Sequence, residues 1–415
     1  MLRSVILDAF HNVSMTNTTA MGYTSLRPPQ QQNFTSPEYE YARKRSSWVL
    51  PLGLFILTFL STLMAGAAWA GQNFLEITTW ITGLQYSVLI LTFLAAHEFG
   101  HYFAAKYHGV DATLPYFIPV PPLFMPFGTA GAVIRTRSAI MTRKALFDIG
   151  VSGPIAGFVV CILFLAIGLM TLPSQEFLLN IHPEYRQFGG AIPDYGLHFG
   201  GTLLYSWFER IFANPNGWLP PMNEMYHYPY LCVGWFGLFV TSMNLLPIGQ
   251  LDGGHIAHAM FSDGQARIGR IAWWFIAVLG LGSLLSYVHG RIIFDSPDSL
   301  YTFFQSLLLP PLNALHSIVP AFYQSWSGWV LWAVILRFFI RIEHPYVDDE
   351  EPLDKKRMAI GFLAAVILVV SFCPAGVFDI ERTEQNAIPK STPRKSGEMT
   401  RTPLAEPVTM PLVKR

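Results

Sequence analysis

The sequence predicts an all-α polytopic membrane protein with about six to seven transmembrane helices. Of its 415 residues, 52% are hydrophobic and only 13% are charged, whereas soluble domains carry about 25% charged residues. Several segments approach the roughly 20 consecutive apolar residues that a membrane-spanning helix needs. Clusters of Arg and Lys separate these segments, as expected for loops at a membrane surface.

Six segments satisfy or nearly satisfy the length requirement for a membrane span. In chain order they are residues 48–70, 77–107, 146–172, 230–247, 271–288 and 358–377. A slightly shorter, aromatic-rich segment at 326–342 is counted as a seventh span. The membrane domain is therefore predicted at 48–377. Polar tails at 1–47 and 378–415 are predicted to be disordered, the first of them cytoplasmic.

Positively charged loops orient these spans. Basic residues at 43–45 precede the first span, which predicts that this span starts on the cytoplasmic side. The loop at 135–144 carries four further cations and agrees with that orientation. With seven spans the basic C-terminal tail lies outside. If 326–342 is re-entrant instead, the tail lies inside but the basic residues 355–357 move outside, so both topologies remain open.

Charge and cysteine content exclude some classes of protein. The formal net charge is zero, so nothing indicates a nucleic-acid partner. The three cysteines lie in apolar stretches without a CxxC pair, which is typical of buried small hydrophobic residues.

The second predicted span contains the motif His97-Glu98-Phe99-Gly100-His101. Residues four apart lie on the same face of a helix, so His97 and His101 can bind a single metal ion. Glu98 lies beside them, where it can accept a proton from a metal-bound water. A metal site of this kind within an apolar helix predicts an enzyme that hydrolyses bonds inside the membrane.

A catalytic zinc site needs a third protein ligand in addition to two histidines. The fourth span ends at Asn244, and Pro247 and Gly249 interrupt the helix before Asp252. The predicted topology places this break at the same depth as His101. An ionisable residue there is costly unless it has a partner, which makes Asp252 the candidate third ligand. Taken alone, Asp252 is better explained as a turn residue or a helix cap, and the two histidines favour the ligand interpretation.

The two motifs together resemble those of the site-2 protease family of intramembrane zinc metallopeptidases. The resemblance covers about residues 91–258 and implies one Zn²⁺ per chain, bound by His97, His101 and Asp252. It also implies that Glu98 is the general base and that Asn244 holds the substrate or the oxyanion. Gly153-Pro154 resembles a further family motif, but Gly157 stands where many members have Asn.

The resemblance also has implications for architecture and partners. The segment between the third and fourth spans is too short for the PDZ domain of many members, which indicates the PDZ-less branch of bacterial and plastid proteins. The catalytic core is expected at about 77–258. The expected partners are the lipid bilayer and a membrane-anchored protein substrate, cleaved by regulated intramembrane proteolysis. The expected location is the bacterial cytoplasmic membrane, with the site towards the cytoplasm.

Residues 126–137 are rich in glycine and β-branched residues and predict a strand with a glycine kink. The family has a membrane-associated β-hairpin at this place. An exposed strand edge could bind the unwound backbone of a substrate. The alternative is an ordinary interfacial loop.

Other functional classes remain open. They are a membrane metalloprotease with a later Glu ligand, a metal transporter, and an inactive metal-binding regulator or chaperone. The break at Asp252 opposes the first, and the common depth of the candidate ligands opposes the second. Glu98 opposes the third, because metal binding alone requires no base. His255 and His258 are further ligand candidates or residues of a wet interface.

Overall fold

A computed structural model describes residues 48–214, 217–292, 299–342, 344 and 351–380. Within these ranges the first six α-helices are α1 (Val49–Trp69), α2 (Leu84–Tyr107), α3 (Arg143–Met170), α4 (Gln175–Ile181), α5 (Leu203–Phe212) and α6 (Pro229–Asn244). The remaining helices are α7 (Asp252–Phe261), α8 (Gly264–Ile292), α9 (Ser299–Ile318), α10 (Pro320–Tyr323), α11 (Gly328–Ile335) and α12 (Lys355–Ser371). The predicted tail at 1–47 lies outside the described residues.

Four of the described helical segments are long and apolar enough to cross a membrane. They are Val49–Trp69, Ile77–Tyr107, Arg143–Met170 and Gly264–Ile292. The second of them consists of a 3₁₀ turn, Ile77–Gly83, that continues into α2. The chain is therefore a mostly helical membrane protein.

The count of six to seven spans is not confirmed. The predicted fourth and last spans correspond to α6 and α12, which have 16 and 17 residues. The predicted seventh corresponds to α11, extended by a π-helical turn at Leu336–Ile340. Each is shorter than the roughly 20 residues of a simple span. Helix α9 was not predicted, because Pro310 and Pro311 interrupt its apolar pattern.

The centre of the fold is formed by α2, α3 and α6, which pack against one another. Glycines on α6 allow this close approach, as small residues do between membrane helices. A Cβ atom at Gly237 would lie 2.3 Å from Cys161 Sγ, and one at Gly234 would lie 2.7 Å from Leu165 Cγ. The three helices enclose a fully buried apolar core that includes Trp235.

The predicted strand forms a small antiparallel sheet with the segment preceding it. Strand β1 (Tyr116–Pro119) pairs with β2 (Thr129–Val133), with Tyr116 opposite Val133. The predicted glycine kink is Gly131, whose φ of +97° favours glycine. This confirms the predicted strand. The sheet packs against α1 and α2, next to the helix that carries His97 and His101.

A second sheet was not predicted. Strand β3 (Gly196–Phe199) pairs antiparallel with β4 (Val377–Ile380), which follows α12. Ordered structure therefore extends to Ile380, past the predicted start of the C-terminal tail at residue 378. A four-residue strand carries little local signal, because the pairing of β4 comes from a strand far away in the sequence.

Candidate metal centre

His97 and His101 lie one turn apart on α2 and point to the same side of the helix. Their Nε2 atoms are 3.1 Å apart. Both side chains are buried, with relative exposures of 5% and 6%. The structure therefore brings the two histidines together as the spacing predicts.

Asp252 completes a three-residue cluster with these histidines. Its Oδ2 lies 3.3 Å from His97 Nε2, and its Oδ1 lies 3.4 Å from His101 Nε2. Asp252 is the first residue of α7, and the preceding Leu251 occupies the capping position. The carboxylate thus faces the two imidazoles, as the ligand interpretation requires.

Glycines fold the segment before α7 tightly against the end of α6. Gly249 has a φ of +53°, a conformation that favours glycine. A Cβ atom at Gly253 would lie 2.0 Å from the carbonyl oxygen of Leu245. Gly254 is similarly close to the carbonyl oxygen of Gly249. This close approach returns the chain to α2 and places Asp252 at the histidines.

The donor set fits a zinc ion. Zinc–ligand bonds of about 2.0–2.1 Å in a tetrahedron put neighbouring ligand atoms about 3.3 Å apart. The three separations between His97, His101 and Asp252 are 3.1, 3.3 and 3.4 Å. Three protein ligands leave a fourth position for water, as in catalytic rather than structural zinc sites.

Helix α3 orients the imidazole of His101. The Nδ1–H group of this ring donates a hydrogen bond of 2.7 Å to the carbonyl oxygen of Ile149. Nε2 then carries the lone pair that faces Asp252. Gly153 makes room for the ring, because a Cβ atom there would lie 2.1 Å from Nε2. The Gly-Pro motif therefore contributes space at the metal centre.

Glu98 lies at the same centre and is buried, with a relative exposure of 7%. The backbone amide of Ile134, the residue after β2, interacts with its carboxylate. Two hydrogen bonds join the residues after β2 to the segment before β1. The carbonyl oxygen of Arg135 accepts one from the Thr113 amide, and the Arg137 amide donates the other to the Asp111 carbonyl oxygen. Successive residues of a strand direct their backbone N–H and C=O groups to opposite edges. The backbone groups of Ile134 therefore point to the other edge, towards Glu98.

Asn244 also lies at the centre. It is the last residue of α6, and its Nδ2 is 3.5 Å from His97 Nε2. The side-chain amide is therefore at the outer limit of a hydrogen bond in this structure. Gly157 lies on the other side of His97, where a Cβ atom would be 3.3 Å from Nδ1.

The charge of Asp252 depends on its two neighbours. Burial opposes ionisation, but the imidazoles of His101 and His97 outweigh it and hold the pKa of this carboxyl well below its usual range. Burial also lowers the pKa of His255, one turn further along α7, to about 4. Asp252 is therefore an anionic carboxylate, and His255 is a neutral imidazole.

Comparisons with known proteins agree with this geometry. The sequence model of the protein family described as peptidase family M50 matches residues 85–281. This region is similar to peptidase family M50. It includes the part of α2 that carries His97, Glu98 and His101, and α7, which begins at Asp252.

Plant proteins are similar to the M50 region and its surroundings. "Probable zinc metalloprotease EGY2, chloroplastic" of Oryza sativa subsp. indica is 27% identical over 206 residues, which are 50% of this chain and 34% of the relative. "Probable zinc metalloprotease EGY1, chloroplastic" of Arabidopsis thaliana is 33% identical over 179 residues, which are 43% of this chain and 29% of the relative. The chain thus spans about a third of the length of these curated relatives. No solved structure matches the chain.

The M50 region contains site residues that sequence reasoning missed. The carbonyl of Ile149 and the amide of Ile134 act through the backbone, so their side chains give no signal.

His255, a candidate ligand in the sequence, instead lies with its Nδ1 2.7 Å from Nε2 of His344. His258 stacks on the same ring of His344. These contacts place His255 beside the metal centre without adding it to the group of three.

Proposed function

We propose that this protein is an intramembrane zinc metalloprotease that hydrolyses peptide bonds in or near transmembrane segments of membrane-anchored proteins. The observation that carries the proposal is the group formed by His97, His101 and Asp252, with ligand atoms 3.1–3.4 Å apart. Glu98 lies beside this group on an apolar helix. The match of residues 85–281 to peptidase family M50, and the names of the plant relatives, support the same activity.

In this mechanism His97, His101 and Asp252 hold one Zn²⁺ ion. When bound, the ion supplies a Lewis acid that lowers the pKa of a water molecule towards about 7. Glu98 accepts the proton of the attacking water and then donates it to the leaving amine. Asn244 donates a hydrogen bond from its amide to the carbonyl oxygen of the scissile bond as negative charge develops there.

The free edge of β2 is proposed to bind the substrate. A transmembrane helix must unwind before hydrolysis, and its freed backbone groups need partners within the membrane. Ile134 belongs to the strand edge that faces Glu98, so a substrate strand added there would pass the catalytic carboxylate. This arrangement supports extended-chain recognition rather than recognition of an intact helix.

The proposal includes a location and an orientation. Basic residues at 135–144 follow α2 and continue into the start of α3, on the side of the membrane that the positive-inside rule assigns to the cytoplasm. His101 lies near the same end of α2. We therefore place the site towards the cytoplasmic face of a bacterial membrane. The plant relatives carry chloroplast names, and fractionation of the native cells tests this part of the proposal.

The second candidate function is an inactive metal-binding regulator. The buried Glu98 disfavours it, because metal binding needs no base and a buried carboxylate is costly. The deciding experiment uses the purified full chain in detergent with a single-span model substrate. Wild type should cleave it, and Glu98→Gln should lose about 10²–10⁴-fold of the rate.

The exposed Glu76, in the turn before α2, provides the matched control. Glu76→Gln should retain the wild-type rate. Equal cleavage by Glu98→Gln and wild type would remove Glu98 as the base. Zinc-loaded wild type that binds substrates without cleaving any would favour the regulator.

A further inference from the structure

A second cluster of potential metal ligands lies far from the M50 metal centre. His182, Glu224 and His227 belong to the segment between α3 and α6 and are called the loop cluster here. Ile149, the contact of His101 on α3, lies near the start of that helix. The loop cluster belongs to the chain that follows the end of the same helix at Met170. Twenty-one helical residues separate these two positions, a distance of about 30 Å. The loop cluster is therefore independent of the metal centre.

The local structure brings the three side chains together. Glu224 immediately precedes the 3₁₀ turn Met225–His227, and His227 ends it. Residues three apart lie on the same side of such a turn. His182 connects α4 to a second 3₁₀ turn at Pro183–Phe188. Two segments distant in the sequence thus meet at the loop cluster.

The separations within the loop cluster resemble those at the metal centre. His182 Nε2 lies 3.0 Å from His227 Nε2. Glu224 Oε2 lies 3.4 Å from His227 Nε2 and 3.7 Å from His182 Nε2. Their mean is close to the ligand–ligand distance of about 3.3 Å in tetrahedral zinc sites.

Neighbouring groups orient two of the side chains towards the centre of the loop cluster. The Nδ1–H group of His182 donates a hydrogen bond of 2.8 Å to Glu184 Oε1, so the Nε2 of a neutral ring carries the lone pair. The Tyr185 hydroxyl donates a hydrogen bond of 2.7 Å to Glu224 Oε1. Glu224 Oε2 is left to face the two imidazoles.

Hydrogen bonds alone do not satisfy this arrangement. The Glu224 side chain is 3% exposed, and Oε2 accepts no hydrogen bond from any part of the chain that the structure describes. A buried carboxylate oxygen without a partner is costly. Two nitrogens 3.0 Å apart share at most one proton. A divalent cation would bind both nitrogens and neutralise the carboxylate.

We propose that His182, Glu224 and His227 form a second zinc-binding site, separate from the catalytic one. The His182 side chain is 25% exposed, which leaves access for a water molecule as the fourth ligand. Such a site would join the residues after α4 to those before α6 and thereby stabilise the segment between α3 and α6. The proposal does not depend on proteolytic activity.

Metal content of the full chain in detergent tests the proposal. The protein is stripped with a chelator, reloaded with ZnCl₂, freed of excess metal and analysed for zinc per chain. Wild type should hold two ions, and His97→Ala/His101→Ala should hold one. Adding Glu224→Gln and His227→Ala to that background should remove the remaining ion.

A buried histidine of the same segment between α3 and α6 provides the control. His198 lies 3.1 Å from Asp194 and belongs to neither three-residue group. His198→Gln in the His97→Ala/His101→Ala background should still hold one ion. A chain that holds no zinc in this background, or that keeps its zinc after Glu224→Gln and His227→Ala, overturns the proposal.

A milder variant protects the test against misfolding. Glu184 is 54% exposed and contacts the proposed ligand His182 rather than the ion. In the His97→Ala/His101→Ala background, Glu184→Gln should weaken zinc binding about 10–100-fold, as measured by competition with a fluorescent chelator. An unchanged dissociation constant contradicts the proposed coordination by His182.

Discussion

The Nδ1 atom of His101 lies 2.7 Å from the carbonyl oxygen of Ile149. This hydrogen bond connects α2 to the first half of α3 and determines which ring nitrogen faces Asp252. The metal centre therefore depends on the packing of two helices, and not only on the spacing of histidines within one of them.

Gly153→Ala should disrupt the metal centre without removing any ligand. The new methyl group would lie 2.1 Å from His101 Nε2, so the ring must move. We expect zinc affinity to fall by at least about 10–100-fold, the usual effect of losing a group that holds a metal ligand in place. Equilibrium zinc competition measures the effect.

Gly53→Ala is the matched control for this substitution. Gly53 lies in α1, and no atom lies within 4 Å of its added Cβ. Alanine should be neutral there or stabilise the helix by about 0.5–1 kcal/mol. Wild-type zinc affinity in Gly153→Ala would show that α3 can move away from His101 at little cost.

Asp252→Asn should lower zinc content by one ion per chain. The amide preserves the shape of the side chain but removes the negative charge that faces the two imidazoles. Elemental analysis of the purified protein measures the loss. Asp263→Asn, an exposed position just after α7, should retain the wild-type content. Undiminished zinc binding by Asp252→Asn would exclude this carboxylate as a ligand.

Ile134→Pro should impair proteolysis while zinc content is retained. Proline removes the amide that faces Glu98 and is tolerated at the edge of a sheet. We expect cleavage to fall about tenfold below that of Ile134→Ala, the equivalent of one lost hydrogen bond of about 1.4 kcal/mol. Ile134→Ala controls for lost packing. Equal rates for the two variants would show that the Ile134 amide contributes neither to Glu98 nor to the binding of a substrate strand.

Asp148→Asn should destabilise the fold on the side of α3 that faces α12. Arg357 donates two hydrogen bonds to this carboxylate, of 2.8 Å and 2.6 Å, and His108 Nε2 lies 2.7 Å from it. Losing these charge-assisted contacts at a partly buried site should cost about 1–3 kcal/mol. Thermal unfolding in detergent should therefore show a lower Tm.

Lys144→Ala provides the comparison for Asp148→Asn. Lys144 pairs with Glu351 at 2.7 Å, but Glu351 is 65% exposed. Such pairs contribute about 0–1 kcal/mol. A Tm for Asp148→Asn no lower than that for Lys144→Ala would show that the Arg357 contact does not hold α12 against α3.

Much of the architecture was predictable because its signals are local. The apolar segments identified α1, α2, α3 and α8, since hydropathy over about 20 residues reports on the lipid environment directly. The strand at Thr129–Val133 was predictable from its glycine kink and β-branched residues. The span count was not, because α6, α11 and α12 are short helices whose place in the membrane depends on their neighbours.

The metal centre divides in the same way. By itself the sequence determined the pair His97 and His101 and the position of Glu98, because a spacing of four residues on a helix fixes their relative directions. Only the tertiary structure decided that Asp252 reaches them, that Ile149 orients His101 and that Ile134 faces Glu98. Those contacts join elements far apart in the chain, and two of them use backbone groups, which every residue carries and which side-chain patterns therefore cannot reveal.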